Sequence, residues 1–166
     1  TENDFYNEGG TFGVPANVGR ITGMQALATQ DSSLGMGNLL VGTRNSVFSV
    51  NTPLDRTIWK DLQYPIQSVA LIDYGPEAPR CVPQVNGDMW YRSQDGYRSF
   101  ITARRDINVW GNTPMSREIS PIIAEDSDEL LFYASGILFD NRFIATASPF
   151  KTELGVAHRG LTTLNF

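Results

Sequence analysis

The sequence predicts an all-β, antiparallel fold interrupted by one short helical insertion. Three observations predict it. Short apolar runs rich in Val, Ile, Phe, Tyr and Thr recur between Gly, Asn, Asp or Pro, as in "GNLLVGTRNSVFSV", "QSVALIDYG", "RCVPQVNGDMWYRS", "GILFDNRFIATAS" and "GLTTLNF". That pattern suits short strands on a pleated surface. A strand–turn–strand segment recurs without a gap at an offset of 50 residues, Gly37 onto Gly87. Helix-start chemistry is confined to residues 113–133.

Taken in order, residues 1–20, "TENDFYNEGGTFGVPANVGR", carry four Gly and three Asn without periodicity. They read as an N-terminal arm or long loop. Residues 21–166 then form one β domain. Within it the repeat lays Leu39-Leu40-Val41 over Met89-Trp90-Tyr91, Asn45 over Asp95, Ser46 over Gly96, Val47 over Tyr97 and Val50 over Phe100. A third copy with an insertion runs through "NRFIATA" and "HRGLTTLNF", where Arg159-Gly160-Leu161 takes the place of Asp95-Gly96-Tyr97. The predicted hairpin corners are therefore Asn45-Ser46, Asp95-Gly96 and Arg159-Gly160. Asp-Gly is a strong two-residue hairpin signal because both residues tolerate positive φ, so Gly96 is expected at a positive-φ corner. A repeat near 50 residues built from short strands reads as blades of a β-propeller. Three units are too few for a closed ring, so the chain is expected to continue in a longer polypeptide or to be completed by copies of itself. The lack of an initial Met points the same way. In the helical insertion, Thr113-Pro114 reads as an N-cap with Pro at the first helical position, and Pro121 keeps that helix short. Asp126 with Glu129 resembles a capping box ahead of "LLFYAS".

Composition bounds the function classes. The chain has 166 residues, 41% apolar and 19% charged, enough for one globular domain with a core. A net charge of −5 argues against a partner held by phosphate contacts, and no nucleic-acid contact is expected. Cys81 is the sole cysteine, which excludes an intrachain disulfide framework. No apolar run reaches the length of a membrane-spanning helix.

The residue types that could carry chemistry favour structural readings. His158 is the sole histidine, so it cannot build a multi-His metal site, and it reads as a strand-entry residue. Glu125, Asp126, Asp128 and Glu129 lack the alternating oxygen ligands and sharp-turn Gly of a calcium loop, and read as a solvated helix start. Arg80, Arg92, Arg98, Arg104, Arg105 and Arg117 could clamp a carboxylate only by converging on one pocket; ion pairing between blades or at an interface is the preferred reading. Trp59, Trp90 and Trp110 with Tyr64, Tyr91 and Tyr97 could form a sugar platform, but large rings at strand positions fill a core. No catalytic, metal-binding or cofactor-binding residue is assigned, and the chain is expected not to be an enzyme.

Two resemblances bear on these residues. "SQDGYRSF" resembles the Asp box of sialidase-like propellers: Ser93, Asp95 and Phe100 sit at its offsets, with Gly96 one residue early. In that family the box is a folding element remote from catalysis. Over residues 66–166, "APRCVPQVNGDMWYRSQDGYRSF", "FDNRFIATASP" and "GVAHRGLTTLNF" look like propeller-forming virion proteins of tailed bacteriophages, including tail nozzle or hub components. Cys81 departs from that pattern, where a small hydroxyl residue is expected, and the first 60 residues carry no motif. The resemblance implies a structural protein of the virion tail or neck. Its partners would be other virion proteins and copies of itself in a symmetric assembly, without membrane segment or cofactor. The alternative is a carbohydrate-binding or glycoside-cleaving β-propeller.

Overall fold

A computed structural model describes residues 14–27, 38–50, 57–58, 66–68, 74–101 and 114–165. The chain is mostly antiparallel β, as the sequence predicts. Its strands are β1 (Ile21–Ala26), β2 (Leu39–Thr43), β3 (Ser46–Val50), β4 (Ile66–Ser68), β5 (Gln84–Val85), β6 (Asp88–Ser93), β7 (Gly96–Ser99), β8 (Gly136–Phe139), β9 (Arg142–Thr152) and β10 (Gly155–Asn165). They form three antiparallel sheets in sequence order: β1-β2-β3-β4, then β5-β6-β7, then β8-β9-β10. Among the described residues no sheet closes on itself. No helix there is long and apolar enough to cross a membrane.

The repeat is structural, with its corners displaced by one residue from the predicted positions. Thr43 pairs with Ser46 and Ser93 with Gly96, so the corners are Arg44-Asn45 and Gln94-Asp95. Asn45 and Asp95 occupy corners, whereas Ser46 and Gly96 open β3 and β7. The reason lies in the side chains at the second corner. Arg98 reaches back to Asp95, with Nη2 2.6 Å from Oδ2, and its Nε donates to Ser93 Oγ at 3.1 Å. Ser93 Oγ also lies 2.8 Å from both Asp95 Oδ1 and Gly96 O. These contacts hold Asp95 in the corner and Ser93 and Gly96 as the closing pair. Gly96 itself has φ 159°, close to extended. What requires glycine there is a close approach: a Cβ would lie 2.5 Å from Ser116 Oγ and 2.8 Å from Pro114 Cβ.

The third copy departs further. Arg159 and Gly160 lie within β10, not at a corner, and the turn of that hairpin is Glu153-Leu154, closed by Thr152 and Gly155. Gly160 pairs with Ala147 as Gly96 pairs with Ser93, so the equivalence of Gly160 with Gly96 holds. Residues 149–158 are added beyond that pair as a hairpin extension. Ser148, at φ 52°, marks where the extension departs. The corners with positive φ at both residues fall elsewhere, at Asn86-Gly87 and Asp140-Asn141, which join β5 to β6 and β8 to β9.

The segment between the second and third sheets holds the helical insertion: 3₁₀ turns Arg117–Ile119 and Asp128–Tyr133 around a one-turn α-helix, α1 (Ser120–Ile123). Pro114 precedes this region, and it is Pro121 that sits in the first turn of α1. Thr113 lies outside the described residues. Asp126 caps nothing: the residue ahead of the last turn is Ser127, without a side-chain cap.

Three apolar clusters hold the sheets. Leu40 and Val47 of the first sheet pack on Met89, Tyr91 and Phe100 of the middle unit. On its other face the middle sheet sets Val85, Trp90 and Tyr97 against Phe143 and Ala145 of the third. Phe143 meets the rings of Trp90 and Tyr97 edge-on, at centroid distances of 5.7 and 5.5 Å, the geometry favoured by ring quadrupoles. Val41, Phe48 and Val50, on the far face of the first sheet, pack with Val14 and Val18. Thus part of the predicted arm lies on the core, around the 3₁₀ turn Ala16–Val18; residues 1–13 lie outside the described set. Every residue of β6 and β7 is buried.

Candidate functional site

Two polar places stand out, one closed and one open. The closed one is built from the stretch Arg92–Phe100. Along β6 and β7 successive side chains point to opposite faces, which separates the two arginines. Arg92 shares a face with Trp90 and Tyr97, its guanidinium 5.3 Å from the Tyr97 ring; Arg98 shares a face with Tyr91 and lies 4.8 Å from the Tyr74 ring. The two side chains are each 1% exposed. They do not converge, so they form no carboxylate clamp. Arg104 and Arg105 lie outside the described residues, and Arg80 and Arg117 are exposed.

Each buried arginine has its own carboxylate. Arg92 Nη2 donates to Asp126 Oδ2 at 3.2 Å, and the Asp126 side chain is 5% exposed. Arg92 Nη1 also donates to the carbonyl of Ser93. The other oxygen of Asp126 accepts the backbone N–H of Ser148 at 3.0 Å. One carboxylate thus ties the middle sheet, the helical insertion and the start of the hairpin extension together. The acidic cluster is therefore not simply a solvated helix start: Asp126 is a buried clasp, while Glu125, Asp128 and Glu129 are exposed. At the same corner Gln94 Nε2 donates to Asp128 Oδ2 at 2.7 Å. Asp88, at the foot of β6, accepts backbone N–H groups from Met89 (2.7 Å) and Ile101 (3.0 Å) and the hydroxyl of Ser99. Burial nevertheless raises its carboxyl above the usual range.

The open place is a cleft of about 380 Å³ between the first sheet and the helical insertion. Arg20, Arg44, Glu77, Asp128, Glu129 and Phe132 line it, together with Gly19 and Thr22. Glu77 is buried, and Arg44 Nε donates to its Oε1 at 2.9 Å. Burial raises the Glu77 carboxyl above its ordinary range, against the lowering effect of Arg44. Arg20 lies 4.3 Å from the centre of the Phe132 ring. A carboxyl raised by burial in a concave site is the kind of group that serves as a general acid. Sequence reading missed Glu77: "GPEAPR" carries no motif, and only the fold brings Arg44 to it across 33 residues.

The remaining expectations place as follows. Trp90, Tyr91 and Tyr97 are core residues and present no sugar platform; Trp59, Tyr64 and Trp110 lie outside the described residues. His158 sits within β10 opposite Pro149. Cys81 is buried, its thiol pushed up to about 12 by desolvation, which makes it inert. Among the described residues no three His, Cys, Asp or Glu side chains gather as a metal-ligand group. No family model, curated protein or solved structure matches this chain.

Proposed function

We propose that this chain is a structural component of a tailed-phage virion, in the tail or neck, with its three sheets as propeller-like blades that act through protein–protein contacts. The virion placement rests on the sequence resemblance over residues 66–166. The observation in the fold that supports a structural role is the Arg92–Asp126 clasp: this buried ion pair, with the Ser148 N–H on the same carboxylate, joins the middle sheet to the helical insertion and to the third sheet. In this reading the protein has no catalytic site or cofactor of its own. Its partners are other virion proteins and copies of itself, and it does not contact nucleic acid.

The Glu77 cleft favours a second reading, a carbohydrate-binding or glycoside-cleaving protein. It places a raised carboxyl near further acids, Asp128 and Glu129, and beside an aromatic ring, as glycoside hydrolysis requires paired carboxylates. The two readings separate in one set of experiments. Deletion of residues 1–13, which leaves Val14 and Val18 on the first sheet, is expected to lower incorporation into particles, and the intact protein is expected to turn over neither sialosides nor host polysaccharides. Turnover that Glu77→Gln abolishes would replace the structural reading with the second. Normal assembly without the arm would remove the arm's role.

A further inference from the structure

The cleft between the first sheet and the helical insertion is set apart by how its charged groups are paired. Arg20, Arg44, Glu77, Asp128 and Glu129 all line it. Each acid already has a protein donor: Arg44 Nε for Glu77, Gln94 Nε2 for Asp128 Oδ2, and Lys151 Nζ for Glu129 Oε2 at 3.5 Å. The arginines are not satisfied in the same way. Arg20 lies over the Phe132 ring and has no acceptor among the described residues. Arg44 engages Glu77 through Nε alone, and its two terminal nitrogens have no acceptor among those residues. Two guanidinium groups thus bring spare N–H donors to one concavity of about 380 Å³.

The walls of this cleft are held by the backbone. The Asn45 N–H donates to Val18 O at 3.4 Å, which fixes the turn ahead of Arg20 against the corner that carries Arg44. The Gly75 N–H donates to Arg44 O at 3.1 Å and the Glu77 N–H to Arg92 O at 2.9 Å, so the Glu77 segment is tied at both ends. Between them Thr22 Oγ1 donates to Pro76 O. Glu77, only 6% exposed, is a buried anchor for Arg44. The class of ligand follows from charge and hydrogen-bond type. Convergent guanidinium donors match a planar carboxylate. Three acids against two arginines oppose a dianion such as a phosphate monoester. Asp128 and Glu129 each keep a second carboxylate oxygen, which suits hydroxyl donors. A single carboxylate on a frame of hydroxyls is an acidic sugar.

We propose that this cleft binds a monosaccharide unit carrying one carboxylate, a hexuronic or sialic acid, with Arg20 and Arg44 on the carboxylate and Asp128 and Glu129 on hydroxyls. The carboxylate clamp that Arg92 and Arg98 do not form is thus placed at two arginines that sequence reading did not single out. The inference rests on the binding half of the second reading above and requires no turnover.

Isothermal titration calorimetry of the full chain with D-glucuronate, N-acetylneuraminate, D-glucose and acetate tests it. At least one of the two acidic sugars is expected to bind about ten-fold or more tightly than glucose and than acetate. Arg20→Gln, which breaks no ion pair, is expected to weaken that binding about ten-fold with little change in melting temperature. Arg44→Gln is expected to weaken it as well, whereas Arg159→Gln, at an exposed arginine outside the cleft, leaves it unchanged. Glucose bound as tightly as the acidic sugars would overturn the inference and leave the carbohydrate reading standing. Acetate bound as tightly would overturn it too, since the hydroxyl frame would then count for nothing. An acidic sugar held equally well by Arg20→Gln would place its site elsewhere and overturn the proposal. No binding of any sugar in the millimolar range would overturn both the inference and the binding half of the second reading, and the structural reading would be untouched.

Discussion

The middle and third sheets share a register and differ in their surroundings. Trp90 and Tyr97 are buried where Ile144 and Leu161, at the same positions, are half-buried and exposed. The middle sheet also buries charge on both faces, Arg92 on one and Arg98 on the other, whereas the corresponding positions of the third sheet are Thr146 and Thr162. Apolar character at these positions thus goes with place in the repeat, while burial goes with neighbours. A sheet enclosed on both sides can carry arginines internally only because each has a carboxylate and a further oxygen acceptor within reach, the Ser93 carbonyl for Arg92 and the Ser93 hydroxyl for Arg98.

This contrast can be broken at its centre. Phe143→Ala removes the ring that Trp90 and Tyr97 both contact, leaving a cavity between the two sheets. Urea unfolding is expected to show a loss of about 3–5 kcal/mol. An effect below 1 kcal/mol would mean that the sheets do not depend on that contact. Asp126→Ala comes next. It leaves the Arg92 guanidinium buried without its carboxylate and the Ser148 N–H without an acceptor, at a cost of about 3 kcal/mol by the same measurement. Restored stability in Arg92→Met/Asp126→Ala would assign that cost to the orphaned charge rather than to lost packing.

A matched glycine pair sharpens the comparison. Gly96→Ala drives a methyl into Ser116 and Pro114 and is expected to cost about 1–3 kcal/mol. Gly160→Ala, at the equivalent place, meets nothing within 4 Å and is expected to change stability by no more than about 0.5 kcal/mol. Equal losses at the two sites would contradict the difference in enclosure. The smallest effect is one of pH, at the link from the first sheet to the middle one, where the Glu77 N–H donates to Arg92 O at 2.9 Å. A carboxyl whose folded pKa is raised favours the folded state most below its unfolded pKa, near 4.5, and loses that contribution as pH rises through the folded value. The melting temperature of Glu77→Gln, relative to the parent, is therefore expected to climb as pH rises from 4.5 and then level off. A relative decline over that range would show that Arg44 outweighs burial.

Much of the strand pattern could be read from residues. The gapless match of 37–50 to 87–100 follows from alternation on a pleated strand, and it survives in the pairings, apart from Gly37 outside the described set. The corners slipped by one because a dipeptide signal such as Asp-Gly is local, whereas Arg98 reaches Asp95 and Ser93 only once β6 and β7 are paired. The Arg159-Gly160 corner failed for a related reason. The residues kept their register, but added chain at 149–158 moved the turn away. Asp126 read as a helix cap because Glu129 stood three residues on; its partners, Arg92 and Ser148, are distant in sequence and carry no spacing rule. Glu77 was invisible for the same reason.

The hairpin beyond Ser148 bears on how such a chain varies over descent. Register is locked at its base by Ala147 and Gly160, and Asp126 takes up the Ser148 N–H, so the stacked core is complete before the extension begins. Natural selection can then lengthen, shorten or rewrite the tip of the hairpin, where residues 151–155 are exposed, without disturbing the three apolar clusters. The same freedom makes Glu153-Leu154 a place to graft a foreign peptide. An epitope inserted there would be displayed on a two-stranded stalk, leaving the host domain's melting behaviour as it was.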